Sequence, residues 1–288
     1  MPIQMESQNF KMKPDQDFSR QSFLGPNSEH QLADTCAVIV GLGGGGSHIA
    51  QQLAHIGVGT IRLIDPQQIE ASNLNRLVGA TDDDVNEKRS KVQILKCLIH
   101  SIRPWIKVDA VESTWQKADR YIKDAHVLFG CVDGYQQRDF LEVAARRHCL
   151  PFIDIGMDVT KVGQNIYAVA GQTIVSLPNK PCMRCIGFIT SDRLAREENN
   201  YGHAGFNPQV IWTNGTLASL AVGEFVKLRT PWFAEHREFV WLELDGNSQT
   251  IAKSRQPEYY KIPERCPHHG GNDGLGDAFF DIRSALKA

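Results

Sequence analysis

The chain has 288 residues, with 31 basic and 33 acidic side chains and a net charge of −2. That length buries a substantial core, as one large α/β domain or two small ones, and the balanced charge gives no electrostatic case for nucleic acid or an anionic membrane. No apolar stretch approaches the roughly 20 residues needed to span a bilayer, and the polar N-terminus lacks a signal-peptide segment. A cytoplasmic protein without nucleic-acid or membrane partners is expected.

Residues 1–17 are polar and read as a flexible N-terminal segment. The main domain is expected over 18–252, with 253–288 as a C-terminal tail. From Cys36 onward, strand and helix patterns alternate. A strand over 37–40 leads to a helix over 47–56, then a strand over 60–64. A helix over 86–102 places Val92, Leu95, Ile99 and Ile102 on one face, and Pro104 ends it. A strand over 106–111 follows. The near-continuous apolar run over 125–132 reads as a buried parallel strand. A helix over 136–147 and a strand over 152–155 complete a parallel, doubly wound pattern. After Gly156 the pattern changes to a hairpin, 163–170 with 173–177, turning at Gly171-Gln172. Residues 190–207 read as a polar loop. A helix over 209–228 follows, with Asn214-Gly215 expected to distort it. Strands over 238–244 and 250–252 flank Asp245-Gly246-Asn247-Ser248, a strong hairpin signal. The fold class is α/β, a Rossmann-like, doubly wound mixed sheet with a zinc knuckle and a C-terminal antiparallel hairpin.

The glycine run Gly41-Leu42-Gly43-Gly44-Gly45-Gly46-Ser47 lies between a strand and a helix. In that context Gly41-x-Gly43-x-x-Gly46 reads as a nucleotide fingerprint. The glycines allow close backbone approach, and the helix N-terminus offers unpaired N–H groups and a positive dipole end to phosphate. Asp65, ending the second strand, stands where a carboxylate holds ribose hydroxyls. Up to this point a nicotinamide dehydrogenase fits equally well.

The residues behind Asp65 separate the readings. Asn73, Arg76 and Lys91 follow it, and Asp133 lies just beyond the buried strand. A dehydrogenase has no need of cations gathered at phosphates, whereas Arg and Lys neutralise charge that develops during attack at phosphorus. An Asp at the C-terminal end of a central parallel strand stands at the ligand crevice, and one carboxylate plus phosphate oxygens suits Mg²⁺. Taken singly, Arg76 and Lys91 read as solvated charges and Asp133 as a turn residue. Their weight comes from occurring together.

Cys182-Met183-Arg184-Cys185 and Cys266-Pro267-His268-His269 form two pairs with the same gap, which suits a closed Cys₃His zinc site of Cys182, Cys185, Cys266 and His269. His268 stays open as the fourth ligand, and the alternative is no metal at all. Redox chemistry at a lone Cys-x-x-Cys would need a thioredoxin-like setting, which is absent.

Together these stretches resemble the E1-like adenylating enzymes of the ThiF–MoeB type, the group that includes molybdopterin- and thiamin-pathway activators and ubiquitin-activating enzymes. The matching residues are the glycine run, Gly57-Val58-Gly59, Leu63-Ile64-Asp65, Ser72-Asn73-Leu74-Asn75-Arg76, Lys88-Arg89-Ser90-Lys91-Val92 and Cys131-Val132-Asp133, from about Ser19 to Leu228. The resemblance implies a homodimer that uses ATP and Mg²⁺ to convert the C-terminal glycine carboxylate of a ubiquitin-like protein into an acyl-adenylate. By position, Asp65 would hold the ribose, Asn73, Arg76 and Lys91 the phosphates, and Asp133 the Mg²⁺. Arg20 resembles the family's N-terminal arginine, which reaches the partner subunit's ATP; the alternative is an arginine in a mobile tail. Relatives often carry a thioester-forming cysteine after the knuckle, but residues 186–265 contain none. Cys131 and Cys149, in apolar segments, read as packed core. An E2-like or other thiol acceptor would then receive the acyl group, with a bacterial ubiquitin-like conjugation pathway favoured. Sulfur-carrier activation for cofactor biosynthesis, an NAD-dependent oxidoreductase and a nucleotide-binding scaffold without turnover are the alternatives.

Overall fold

The computed structural model describes residues 18–200, 208–233, 239–255 and 266. Its helices are α1 (Ser28–Ala33), α2 (Gly44–Ile56), α3 (Asp82–Asn86), α4 (Lys91–Ile102), α5 (Tyr135–Arg147), α6 (Ser191–Asn200) and α7 (Ile211–Arg229). Its strands are β1 (Cys36–Val40), β2 (Thr60–Ile64), β3 (Lys107–Val111), β4 (Val127–Gly130), β5 (Phe152–Gly163), β6 (Ile166–Ser176), β7 (Val240–Asp245) and β8 (Thr250–Lys253). All eight strands form one mixed sheet in the order β3-β2-β1-β4-β5-β6-β7-β8. Pairing is parallel from β3 through β5 and antiparallel beyond.

Strands β1 and β4 are apolar and buried along their whole length because both faces of the sheet are covered. Alternation along the strand decides which face each side chain joins. Ala37, Ile39 and Phe129 join one core with Ile49 and Leu53 of α2, Leu95 and Ile99 of α4, and Leu217 and Phe225 of α7. Val38, Val40, Leu128 and Phe152 join another core with Leu141 and Ala144 of α5 and with Met183, Ile186 and Phe188. From β1 the chain winds outward through β2 and β3, then returns to lay β4 on the other side of β1. The crevice beyond the C-terminal ends of β1 and β4 is therefore a topological switch point, where such sheets bind ligands.

The doubly wound sheet and the C-terminal hairpin agree with the sequence reading, and four local expectations are corrected. The β5–β6 hairpin turns at Gln164-Asn165, and β6 runs straight through Gly171-Gln172. Asn165 takes the left-handed conformation (φ +58°) that the turn needs, a role Asn fills almost as readily as Gly. Residues 191–200, expected as loop, form α6; 201–207 lie outside the described residues. The helix expected over 86–102 starts at Lys91 instead, and Asn86 ends a separate short helix, α3. A Thr81–Asp84 capping box starts α3, Lys88 turns the chain at φ +52°, and Lys91 opens α4. Asn214-Gly215 leaves α7 uninterrupted; a Cβ on Gly215 would lie 3.2 Å from the His48 ring, so the missing side chain serves the close packing of α2 on α7. Among the described residues no helix is long and apolar enough to cross a membrane.

Candidate functional site

The glycine turn is built by close approach. Gly41 has φ +86°, and a Cβ there would run into the Cys131 carbonyl. A Cβ on Gly46 would overlap the Gly41 carbonyl, on Gly44 it would lie 2.5 Å from the Asn214 amide, and on Gly45 2.5 Å from Ile155. Gly43 alone faces open space. The helix begins at Gly44, three residues before the expected start, so the glycines themselves form its first turn. Ser47 is fully buried and spends its hydroxyl internally, donating to Gly44 O (2.9 Å) and accepting from Val78 N (3.1 Å). Anion binding at this turn therefore falls to backbone N–H groups and the helix dipole.

This turn forms one wall of a cleft of about 740 Å³. Gly41, Gly43, Gly44, Asp65, Asn73, Arg76, Lys91 and Asp133 all line it, so the structure brings those sequence-derived candidates together. Gly46 lies behind the wall as a packing residue.

Asp65 is buried, and its two carboxylate oxygens take different backbone donors. Oδ2 accepts from Leu42 N (2.7 Å) and Oδ1 from Gln67 N (2.8 Å). It thereby pins the glycine turn to the exit of β2, and each oxygen keeps a further lone pair. Asn73 closes a short 3₁₀ turn, its Oδ1 accepting from Glu70 N (3.3 Å). Arg76 is held over that turn by Ser72 O (2.6 Å) and Asn75 Oδ1 (2.9 Å). The break between α3 and α4 brings Lys91 in from the same side. Its Nζ donates to Gln67 Oε1 (2.6 Å), and its backbone N–H to Gln67 O (3.1 Å). Asp133, across the glycine turn, accepts from Gln209 Nε2 at 3.0 Å. The result is a cleft that gathers Arg76, Lys91, Arg138 and a helix N-terminus with the Asp65 and Asp133 carboxylates, an arrangement suited to a polyphosphate and a divalent cation.

Arg20 lies elsewhere. Its neighbour Phe18 packs against Gly57 at the far end of α2, and Arg20 is exposed outside the cleft lining. A helix of 13 residues, about 20 Å long at 1.5 Å per residue, separates it from the glycine turn of its own chain.

The thiols of Cys182, Cys185 and Cys266 gather in a buried cluster with sulfur–sulfur distances of 3.4, 3.4 and 3.6 Å. A tetrahedron with metal–sulfur bonds of about 2.3 Å has edges of about 3.8 Å, so the triad could supply three corners of such a site. Burial pushes the Cys182 and Cys185 thiols up from their ordinary range. His268 and His269 lie outside the described residues. The Cys182–Cys185 segment is fastened to α5, where Glu142 accepts from Met183 N (3.0 Å) and Asp139 takes both prongs of Arg184 (2.7 and 2.6 Å).

Several cleft residues escaped the sequence reading: Gln67, Gln137, Arg138, Gln209 and Asn214. One signal was available for Arg138. Asp154 interrupts the apolar strand Phe152-Ile153-Asp154-Ile155, and a carboxylate buried there requires a cationic partner. Cys131 also lines the cleft, but burial raises its thiol pKa well above the usual range, which argues against a thiolate nucleophile.

The ThiF family profile matches residues 18–261. The chain belongs to the ThiF family. It is 29% identical over 174 residues to the sulfur carrier protein ThiS adenylyltransferase of Bacillus subtilis, covering 59% of this chain and 49% of that protein. It is 28% identical over 165 residues to the SAMP-activating enzyme E1 of Haloferax volcanii, covering 57% of each. Over 243 residues it is 28% identical to the heterocyst HesA protein of Trichormus variabilis, covering 83% of this chain and 84% of that one. The chain thus spans about half the length of the first two relatives and most of the third. Escherichia coli MccB shares the fold, with a TM-score of 0.69 at 19% identity, covering 91% of this chain and 74% of that chain.

The glycine geometry makes a paired prediction. Gly43→Ala places its Cβ in open cleft and should unfold thermally within about 2 °C of the parent, whereas Gly46→Ala meets backbone and should cost at least ~2 kcal/mol. Equal melting temperatures for the two variants would contradict this account of the turn.

Proposed function

We propose that this chain is an ATP-dependent adenylyltransferase that activates the C-terminal glycine carboxylate of a ubiquitin-like protein. The observation that carries the reading is the convergence of Arg76, Lys91, Asp133 and the first turn of α2 on one cleft. Asp65, at the β2 end, would take the ribose hydroxyls on its remaining lone pairs. The N–H groups at Gly44 and Gly45 would take phosphate, with Asn73, Arg76 and Lys91 along the β/γ end. A substrate carboxylate oxygen attacks the α-phosphorus, the bond to the bridging oxygen breaks, and pyrophosphate leaves with that electron pair. The protein's part is positioning and charge neutralisation. Asp133 fits a magnesium ion, since its carboxylate opens on the cleft and, among the described residues, takes one amide donor, Gln209. Bound there, Mg²⁺ would offset charge on the phosphates.

The thiol triad fits zinc, with His269, or His268, as the fourth ligand, and would tie the C-terminal tail to α5. Arg20, too far from its own cleft, would serve the cleft of a second copy in a homodimer. With the half-buried Cys131 thiol pushed up by desolvation and residues 186–265 free of cysteine, the acyl group would pass to an E2-like or other thiol acceptor. Conjugation in a bacterial ubiquitin-like pathway in the cytoplasm is the proposed use. The second reading is sulfur-carrier activation, supported by the name of the B. subtilis relative.

Pyrophosphate exchange into ATP, run with candidate carrier proteins ending in glycine, should proceed only in their presence. Asp133→Ala should lower exchange by about 100-fold or more with an unchanged melting temperature. Tight NAD(H) binding without exchange for any carrier would overturn the adenylation reading. Elemental analysis should find about one zinc per chain, and Cys266→Ser should lose it; undiminished zinc in that variant would refute the ligand set.

A further inference from the structure

The cations of the cleft fall on both sides of the glycine turn. Arg76 and Lys91 follow β2, the side on which Asp65 stands. Arg138 comes from the first turns of α5, on the β4–β5 side, and lines the cleft there with Gly156 and Met157. Its guanidinium is held from beneath. Nη1 donates to Asp154, which is fully buried on β5, and to Ile155 O at 3.1 Å. The ion pair uses one prong only. Asp154 Oδ1 has no partner among the described residues, and no described acceptor takes Arg138 Nη2. Gly156 makes room for that second prong, since a Cβ there would overlap Nη2 and lie 2.7 Å from Nη1.

A carboxylate that attacks a triphosphate brings a second anion into the cleft, and the two repel unless a further cation receives it. If the sugar lies at the β2 end and the phosphates over the glycine turn, that carboxylate enters from the β4–β5 side. We infer that Arg138 receives the carboxylate of the acyl substrate, with Asp154 as its positioning partner and Gly156 as the gap that admits the guanidinium to the cleft. The inference rests on the adenylation reading and adds to it the residue that recognises the second substrate. A guanidinium edge suits the role because it meets a carboxylate in one plane and stays charged at any working pH.

Calorimetric titration with ATP and with 5′-O-(N-glycyl)sulfamoyladenosine tests this. The second probe carries an acyl carbonyl where the substrate's carboxylate oxygen would stand. Removing Arg138 alone would strand a buried charge, so the main variant is the neutral pair Arg138→Gln with Asp154→Asn. Gly156→Ala, which keeps both charges but crowds Nη2, is the second. Both variants should hold ATP within about 2-fold of the parent and bind the glycyl probe at least about 10-fold more weakly. Probe affinity that is unchanged, or that falls in parallel with ATP affinity, would overturn the role of Arg138. A parent protein that binds neither molecule would instead overturn the adenylation reading itself, and this inference with it.

Discussion

Everything at this site depends on how closely the start of α2 approaches the backbone around it. The Gly41 carbonyl sits where a Cβ of Gly46 would be, and the Asn214 amide where a Cβ of Gly44 would be. Most glycines of the run are thus packing requirements, and only Gly43 leaves empty space in front of it. The Asp65 carboxylate completes the arrangement by accepting the Leu42 N–H, which stops the turn from drifting away from β2. A helix N-terminus held this rigidly presents its N–H groups without reorganisation, the condition under which backbone dipoles act most strongly on charge.

A second constraint runs through α5. By composition it is a polar helix, yet Arg138, Asp139, Glu142 and Arg146 are all buried. Each is paired: Arg138 with Asp154, Asp139 with Arg184, Glu142 and Arg146 with Ser176 and with each other. Buried pairs of this kind contribute little net stability against well-packed apolar residues, but breaking one is costly. Their effect is to fix where α5 lies. One end of the helix sets Asp133 and Arg138 at the cleft, and its middle carries the Cys182–Cys185 segment through Glu142 and Asp139.

The parallel half of the sheet was legible because buried strands write themselves as apolar runs and the helices between them as periodic ones. Asp65, Lys91 and Asp133 stand just past a strand end or open a helix, and Asn73 and Arg76 were legible from their order behind Asp65. What failed was punctuation. Gly171-Gln172 looked like a turn but lies mid-strand, where a side chain at Gly171 would meet Leu217 of α7. Gln164-Asn165 looked unremarkable and is the turn. The polar stretch after Thr190 carries no apolar stripe of its own, yet α6 is held by tertiary contacts: Arg193 over the Tyr135 and Phe188 rings, and Glu197 accepting from Gln136 N at 3.0 Å. Local pattern cannot report a helix whose support comes from elsewhere.

The same limit explains why Arg138 was missed while Arg76 and Lys91 were found. Those two follow a strand-end carboxylate in an order that points to phosphate chemistry. Arg138 belongs to a polar-looking helix and reads as solvated. Its meaning appears only when β5 brings Asp154 beneath it, a pairing between residues on different elements. Asp154 Oδ1 has no partner among the described residues, and Arg138 Nη2 stands beside Gly156 at the cleft. A guanidinium anchored by one prong and open on the other is arranged to meet a second carboxylate. On the proposed adenylation reading, in a cleft with cations placed for phosphate, that second carboxylate would be the substrate's.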